Sequence, residues 1–147
     1  MSKSLGNCIY LSDDEITLRD KVMNMFTDPN HIKASDPGNT EGNTVFIYLR
    51  AFCKDEYFPL FLPEYKNLDE LEEHYRRGGL GDVKVKTFLF DVLNHILKPI
   101  REKRCLLEKN KDSIYSELIK GCEKARKVAD DTLEEVRKAI GLDYFKK

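Results

Sequence analysis

The spacing of apolar residues limits the possible folds of this chain more than any other feature. In five segments apolar side chains recur every three or four residues, which is the period of one face of an α-helix. The most regular series lies near the end of the sequence: Leu118, Cys122, Ala125, Ala129, Leu133, Val136 and Ile140. No alternating strand series separates these segments, and residues 8–11 are the one extended candidate. We therefore predict an all-α fold, a bundle of about five helices packed on apolar stripes.

Short polar signals mark the ends of the first three predicted helices. Ser12-Asp13-Asp14-Glu15 has the form of a capping box, and Asp28-Pro29 ends the helix that follows it. A second helix is predicted from Asn43 to Phe52, and because apolar residues nearly encircle it, we expect it at the centre of the core. The third begins at Asn67 and stops at Gly78-Gly79.

Two longer helices are predicted to follow. One runs from Val85 to about Glu108 and should kink at Pro99, whose ring nitrogen cannot donate a backbone hydrogen bond. The last helix should stop at Gly141. Its stripe of small residues is predicted to be core, where two helices approach closely: Cys122, Ala125 and Ala129.

Two connections between the predicted helices are rich in helix-breaking residues. Residues 27–43 contain two prolines and two glycines, so we predict a long irregular loop, and its length indicates a functional one. The loop contains His31, which we expect to be a bystander. Residues 55–65 form a second, proline-containing connection.

Composition excludes several classes of protein. Charged residues are 35% and hydrophobic residues 41% of the 147, which is typical of a soluble globular domain and not of a disordered chain. No apolar run approaches the roughly 18–20 residues that span a bilayer, and the N-terminus lacks the apolar run of a secretory signal. We expect a cytoplasmic protein without membrane contact. The four cysteines and three histidines are dispersed, so we predict reduced thiols and no metal site.

The net charge of −1 conceals two adjacent segments of opposite charge. Residues 55–73 contain seven acidic residues and one basic residue. Residues 76–109 contain nine basic residues and four acidic ones. A basic segment of this kind either binds nucleic-acid phosphates or forms a solvated face that offsets the acidic segment before it.

The chain opens with Met1-Ser2-Lys3-Ser4, followed by Leu5-Gly6-Asn7. A lysine between two serines, with a glycine close behind, has the chemistry of a mobile phosphate-binding loop. The ammonium group attracts phosphate oxygens, the hydroxyls donate hydrogen bonds, and small residues let the backbone close on a ligand. The alternative is an N-terminal arm with a solvated lysine.

These residues resemble the second signature loop of the class I aminoacyl-tRNA synthetases, Lys-Met-Ser-Lys-Ser, of which four of five residues are present. Further segments make the chain similar to the C-terminal part of the tryptophanyl-tRNA synthetase family. They are Thr27-Asp28-Pro29, Ser35-Asp36-Pro37-Gly38, Gly42-Asn43, Gly81-Asp82-Val83-Lys84, Glu123-Lys124-Ala125 and Ala139-Ile140-Gly141.

The resemblance implies a tryptophan–tRNA ligase as the parent protein. Such an enzyme activates tryptophan with ATP, together with Mg²⁺, to tryptophanyl-adenylate and then transfers the tryptophanyl group to tRNA(Trp). Lys3 matches the loop lysine that is implied to hold the ATP phosphates and to act catalytically as pyrophosphate leaves. Ser2 and Ser4 match the flanking loop serines, and Met1 matches a packing residue of the same ATP-binding loop.

The resemblance also implies two functional regions, a catalytic-loop segment in residues 1–11 and a helical anticodon-binding domain in residues 12–147. The first loop lysine, a His-Ile-Gly-His type motif and any strand–helix alternation are absent from this sequence. We therefore expect the nucleotide-binding domain, with the tryptophan pocket and most of the ATP site, to lie upstream, and the chain alone to be inactive. Family members are homodimers, with the pairing surface expected in that missing domain.

Six residues of the basic segment are candidate tRNA contacts: Arg76, Arg77, Lys84, Lys86, Arg101 and Arg104. Anticodon loops present unstacked bases, which arginine can stack on and hydrogen-bond, while lysine neutralises phosphates. Two alternatives remain open. The chain could be a stand-alone helical RNA-binding module without catalysis, or a helical adaptor whose charged segments bind other proteins.

Overall fold

The computed structural model describes residues 6–142, in which six α-helices and no β-strand are present. The helices are α1 (Glu15–Met23), α2 (Thr44–Phe52), α3 (Phe58–Phe61), α4 (Leu68–Arg77), α5 (Asp82–Glu108) and α6 (Lys111–Ala139), and a 3₁₀ turn covers Asp55–Tyr57. The all-α prediction is confirmed, and the five predicted helices are α1, α2, α4, α5 and α6. The chain divides into two compact units, residues 1–102 and 103–147. The predicted functional boundary at residue 11 stays a prediction.

Asparagine side chains begin three of these helices, two of them at the predicted positions 43 and 67. Asn43 accepts a hydrogen bond from the amide of Val45 at 3.1 Å, and Asn67 accepts one from the amide of Glu70 at 3.0 Å. Asn110 caps α6 in the same way, from the amide of Ser113. Each side-chain oxygen satisfies an amide that has no partner within its own helix.

The predicted capping box at the start of α1 was wrong by two residues. Asp14, and not Ser12, is the N-cap, and its carboxylate accepts a hydrogen bond from the Thr17 amide at 2.8 Å. Asp13 instead closes a turn, in which it accepts from the Tyr10 amide at 2.9 Å and its own amide donates to the Tyr10 carbonyl. Because this turn extends to residue 13, the helix begins only after it.

The connection at residues 55–65 is more ordered than its sequence suggests. It contains the 3₁₀ turn and α3, with Pro59 in the first turn of α3, where its missing amide hydrogen is not needed. Tyr57, Phe58 and Leu62 are all buried. The connection is therefore part of the core.

The hydrophobic core lies in the first unit. The α2 residues Val45, Phe46 and Leu49 are at most 1% exposed, as expected for a central helix. Ile47 and Phe52 remain about half exposed, so α2 is buried on one side only. Further fully buried side chains come from α1, α3, α4, the first half of α5 and the connection before it: Leu18, Val22, Phe58, Leu71, Tyr75, Leu80, Val85, Phe88, Leu89 and Val92.

The predicted core stripe on α6 is not buried. No residue of α6 is buried among the described residues, and Cys122, Ala125 and Ala129 are all exposed. The helix itself and its end before Gly141, whose φ is +68°, were predicted correctly. Helical periodicity fixes which residues share a face, but it does not show whether a partner covers that face.

No helix among residues 6–142 combines the length and the apolar character needed to cross a membrane.

Candidate functional site

The predicted phosphate-binding residues Met1, Ser2, Lys3 and Ser4 lie outside the described residues, so their role stays a prediction. Gly6 follows these residues closely in sequence, and its φ of +65° is a conformation that favours glycine. The predicted loop is therefore followed in sequence by a glycine turn.

A groove of about 560 Å³ lies next to the Gly6 turn. It is formed by the first described residues, the second half of α1 and the start of α2: Gly6, Asn7, Asp20, Lys21, Asn24, Met25, Phe26, Thr44 and Tyr48. Its volume falls within the roughly 300–1,000 Å³ of small-molecule pockets. The groove is thus a candidate ligand site that directly follows the predicted loop in sequence.

Two side chains set the chemistry of this groove. The Lys21 ammonium lies 2.6 Å from a carboxylate oxygen of Asp13 and 4.7 Å from the centre of the Tyr10 ring. Burial raises the pKa of the Tyr48 hydroxyl above its ordinary value, so this group stays protonated at neutral pH. The Lys21 cation in this groove is therefore paired with a carboxylate and is not a free positive charge.

The loop between α1 and α2 is held to the core by a partly buried polar cluster centred on Asp82. One Asp82 oxygen accepts a hydrogen bond from the Tyr75 hydroxyl at 2.7 Å and lies 3.1 Å from His31 Nδ1. The other accepts from the Thr27 hydroxyl at 2.8 Å. Asn43 donates to the Tyr75 hydroxyl at 3.3 Å. The predicted irregular loop is confirmed, but this cluster gives it a structural role.

His31 is buried, and the expectation that it is a bystander to function stays a prediction. Its imidazole ring packs against the Tyr75 ring at 4.6 Å between centroids. Its Nε2 atom is buried without a hydrogen-bond partner among the described residues. No local sequence signal distinguishes this histidine, because its partner Asp82 lies 51 residues away.

Gly38 passes directly over Tyr75. Its amide donates a hydrogen bond to the Tyr75 carbonyl at 3.0 Å. A Cβ atom at position 38 would collide with the ring carbons of Tyr75. The loop therefore needs glycine here for close approach and not for a positive φ.

A second polar cluster joins α2 to α4 through Glu72. The Arg50 guanidinium donates to both carboxylate oxygens of Glu72, at 2.8 and 3.0 Å. Arg76, one turn further along α4, donates to the same carboxylate and to the Thr40 hydroxyl. Glu72 is only 5% exposed, so this carboxylate is buried between two guanidinium groups.

The six predicted tRNA contacts fall into three groups. Lys86 and Arg101 donate to the backbone carbonyls of Met23 and Asp13, at 2.9 and 3.2 Å, and so bond to the two ends of α1. Arg76, Lys84 and Arg104 pair with carboxylates, of Glu72, Glu64 and Glu108 respectively. The remaining one, Arg77, is exposed, and its side chain has no hydrogen bond or ion pair to the described residues.

The two charged segments partly neutralise each other. Glu64 and Glu72 of the acidic segment pair with Lys84 and Arg76 of the basic one. The structure therefore supports charge offset as one role of the basic segment. Arg77 is the candidate whose charge is most available to a ligand.

Residues 1–98 match a family model described as tRNA synthetases class I (W and Y). The match covers well over half of the chain. The chain belongs to this family. It is 53% identical over 145 residues to a tryptophan–tRNA ligase of Clostridium longisporum, covering 99% of the chain and 40% of the relative. A tryptophan–tRNA ligase of Streptococcus agalactiae serotype V is 51% identical over 146 residues, covering 99% of the chain and 41% of the relative. The resemblance inferred from the motifs is confirmed.

Solved structures agree with this assignment. A crystal structure of tryptophanyl-tRNA synthetase from Campylobacter jejuni matches with a TM-score of 0.75 and 28% identity, covering 96% of this chain and 42% of that one. A second structure from that organism, complexed with ADP and tryptophan, matches with a TM-score of 0.76 and 28% identity, covering 96% and 40%. The chain thus spans about 40% of the length of the relatives it matches.

Proposed function

We propose that this chain is the part of a tryptophan–tRNA ligase that carries the phosphate-binding loop and the anticodon-binding helices. The observation that supports this most is the 53% identity to a curated tryptophan–tRNA ligase across 99% of the chain. In the parent protein the tryptophan carboxylate attacks the α-phosphate of ATP, which gives tryptophanyl-adenylate and releases pyrophosphate. The tryptophanyl group then passes to the terminal ribose of tRNA(Trp), and AMP leaves.

In this proposal Lys3 is the catalytic residue that the chain supplies. Its ammonium holds the ATP phosphates and stabilises the negative charge that develops as pyrophosphate leaves, which is preorganised electrostatic stabilisation. Ser2 and Ser4 donate hydrogen bonds to the phosphates or to the loop, and Met1 packs against it.

In this proposal Mg²⁺ binds together with ATP. Among residues 6–142 no three His, Cys, Asp or Glu side chains lie close enough together to hold a metal ion. No step is assigned to a metal held by these residues.

The helices form the tRNA-binding part in this proposal. The exposed basic side chains Arg76, Arg77 and Lys84 of the first unit are the proposed contacts, with Arg104 of the second unit as a further one. Lys86 and Arg101 already bond to backbone carbonyls, so their proposed contribution is to position α1 and α5. Homodimerisation of the parent protein and a cytoplasmic location remain predictions.

The proposal is tested by Lys3→Ala in the full-length parent protein. Tryptophan-dependent exchange of pyrophosphate into ATP should fall by about 10²- to 10³-fold, as expected when one electrostatic transition-state contact is lost. Tryptophan binding, measured by calorimetry, should be nearly unchanged. Lys33→Ala is the matched control, because Lys33 is an exposed lysine whose side chain has no partner among the described residues.

Two results would contradict the proposal. One is an exchange rate in Lys3→Ala equal to that of Lys33→Ala. The other is tryptophan-dependent exchange by the 147-residue chain alone, because the proposal places the tryptophan pocket outside it.

A further inference from the structure

One exposed face of α4 carries a small pocket of mixed charge. Glu70, Glu73, His74 and Arg77 follow one another at helical spacing and, with Tyr65, line a pocket of about 240 Å³. This volume is below the roughly 300–1,000 Å³ of pockets that enclose a drug-sized ligand. The pocket therefore suits a single ring system better than a whole nucleotide.

The two charged side chains that matter most in this pocket are unpaired. Glu73 and Arg77 lie one helical turn apart, an arrangement that commonly gives an ion pair. Here neither side chain has a hydrogen bond or ion pair to the described residues, although pairs of the same spacing form at Glu72–Arg76 and Arg104–Glu108. Both an acceptor and a donor group are thus available to a ligand.

The rest of the pocket is held in place. The Tyr65 hydroxyl and His74 Nδ1 are 2.7 Å apart, a hydrogen bond that fixes the imidazole ring. Gly79 lies beside the same ring, and a Cβ there would lie 3.0 Å from His74 Nε2. Burial raises the pKa of the Tyr65 hydroxyl, so this group remains a neutral hydrogen-bonding partner.

The charges of the pocket favour binding of a nucleic-acid base over binding of a phosphate. Two carboxylates, from Glu70 and Glu73, stand against the single guanidinium of Arg77, so a phosphate would be repelled as well as attracted. The edge of a base presents donors and acceptors side by side without net charge. A carboxylate accepts from an exocyclic amino group, and arginine donates to ring and carbonyl acceptors.

We propose that this pocket binds one unpaired base of the tRNA anticodon loop, and that it selects a base with an exocyclic amino group beside a ring acceptor. Glu73 accepts from the amino group, and Arg77 donates to the neighbouring ring nitrogen. Cytosine and adenine present this pattern on their Watson–Crick edges, whereas uracil presents a carbonyl oxygen to Glu73 and is disfavoured. This inference rests on the proposed function, since it names the base recognised by the tRNA-binding part.

The experiment uses the full-length parent protein and transcripts of its cognate tRNA in which each anticodon-loop base is replaced singly by uracil, cytosine or adenine. For the wild-type enzyme, uracil at one position should lower kcat/KM for aminoacylation by roughly 5- to 150-fold, the loss of one good bidentate contact. The cytosine and adenine transcripts at that position show which amino-bearing base is preferred.

The decisive variant is Glu73→Gln, whose amide can donate to a carbonyl oxygen as well as accept from an amino group. In this variant the penalty for uracil at that one position should shrink to about threefold or less, and penalties at other positions should persist. Asp69→Asn is the matched control, because it removes the same charge from an exposed site on the same helix that does not line the pocket. It should keep the wild-type pattern.

Pyrophosphate exchange by the same preparations separates the two proposals. If the wild-type parent protein shows no tryptophan-dependent exchange, the proposed function fails. If exchange is normal in all variants but Glu73→Gln discriminates bases as Asp69→Asn does, the pocket proposal is overturned and the proposed function stands. Arg77→Ala provides a second, independent test, because it should lower kcat/KM for the transcript with the preferred base at that same position and should not change the penalties at other positions.

Discussion

At the scale of single residues, the Tyr75 hydroxyl shows how strongly the pKa of one buried group depends on its surroundings. It donates to Asp82 and accepts from Asn43, inside the cluster that joins the loop to α4 and α5. Burial, and then the hydrogen bond to Asp82, raise the pKa of Tyr75 well above its ordinary value near 10. The folded state therefore favours the protonated phenol.

The first prediction concerns Tyr75→Phe. At pH 7 the loss of a hydrogen bond to a charged acceptor should lower the free energy of unfolding by about 1.5–3 kcal/mol. A raised pKa in the folded state gives stability that is complete below the unfolded pKa, near 10, and declines above it. The difference in the free energy of unfolding between wild type and variant should therefore be constant up to about pH 10 and shrink as the pH rises to about 11, as measured by urea unfolding.

The control for this series is Tyr115→Phe, because Tyr115 is exposed on α6. It should leave stability unchanged at each pH. A difference between wild type and Tyr75→Phe that stays constant up to pH 11 would show that the hydroxyl does not contribute as the cluster implies.

At the scale of helices, one buried carboxylate forms the ionic link between α2 and α4. Glu72 accepts from Arg50 on α2 and from Arg76 on its own helix, and it is the buried member of the three. The side chains of Arg50 and Arg76 are 36% and 52% exposed, so water can hydrate them if the carboxylate is removed. The cost of removal is therefore smaller than for a fully buried ion pair.

Glu72→Ala should lower the free energy of unfolding by about 1–3 kcal/mol, since it removes several charge-assisted hydrogen bonds that join the two helices. Glu73→Ala is a matched control next to it, with an exposed carboxylate that has no partner among the described residues, and it should change stability by about 0.5 kcal/mol or less. Thermal or urea unfolding of both variants measures the difference. Equal effects would mean that the cluster does not stabilise the packing of α2 on α4.

Helix positions were predictable where the cause is local. Asn43, Asn67 and Asn110 cap helices through amides only two or three residues away, and the apolar period marks the buried faces of α2, α4 and α5. His31 was not predictable, because its burial depends on Asp82 far along the chain. Local patterns carry no information about such distant contacts.

The same limit applies to the candidate sites. The unpaired state of Arg77 and the charge pairing of Arg76 and Lys84 depend on where Glu72 and Glu64 lie in space. The sequence predicted a basic segment correctly, but it could not show which members are neutralised. The three-dimensional fold decides which basic side chains are paired with carboxylates and which are not.

At the scale of the whole molecule, α6 is distinctive because it exposes an apolar face. Leu118 is 59% exposed, Leu133 47% and Val136 48%, and none of the helix is buried among the described residues. Exposed apolar faces of this extent are uncommon on soluble monomers. By contrast, Val22 of the first unit is completely buried.

We predict that the isolated 147-residue chain binds the apolar dye ANS through this face. Leu118→Lys combined with Val136→Glu should lower the dye fluorescence without lowering the melting temperature, because neither side chain is buried. Val22→Glu should instead unfold the first unit, since it places a charge in a packed core. A melting temperature reduced as much by the α6 changes as by Val22→Glu would show that α6 is buried after all.

The close passage of Gly38 over Tyr75 has an evolutionary consequence. Exposed loop positions usually accept substitutions freely, so a mutational scan of residues 24–43 should show tolerance at exposed side chains such as Ile32. Position 38 should be intolerant although it has no side chain, because even alanine would push against the ring of Tyr75, whose hydroxyl bonds to Asp82. Natural selection against other residues at position 38 would then preserve the packing of α4, on which Tyr75 lies. The amino acid at this position of an irregular loop would therefore change as slowly as the core residues that it contacts.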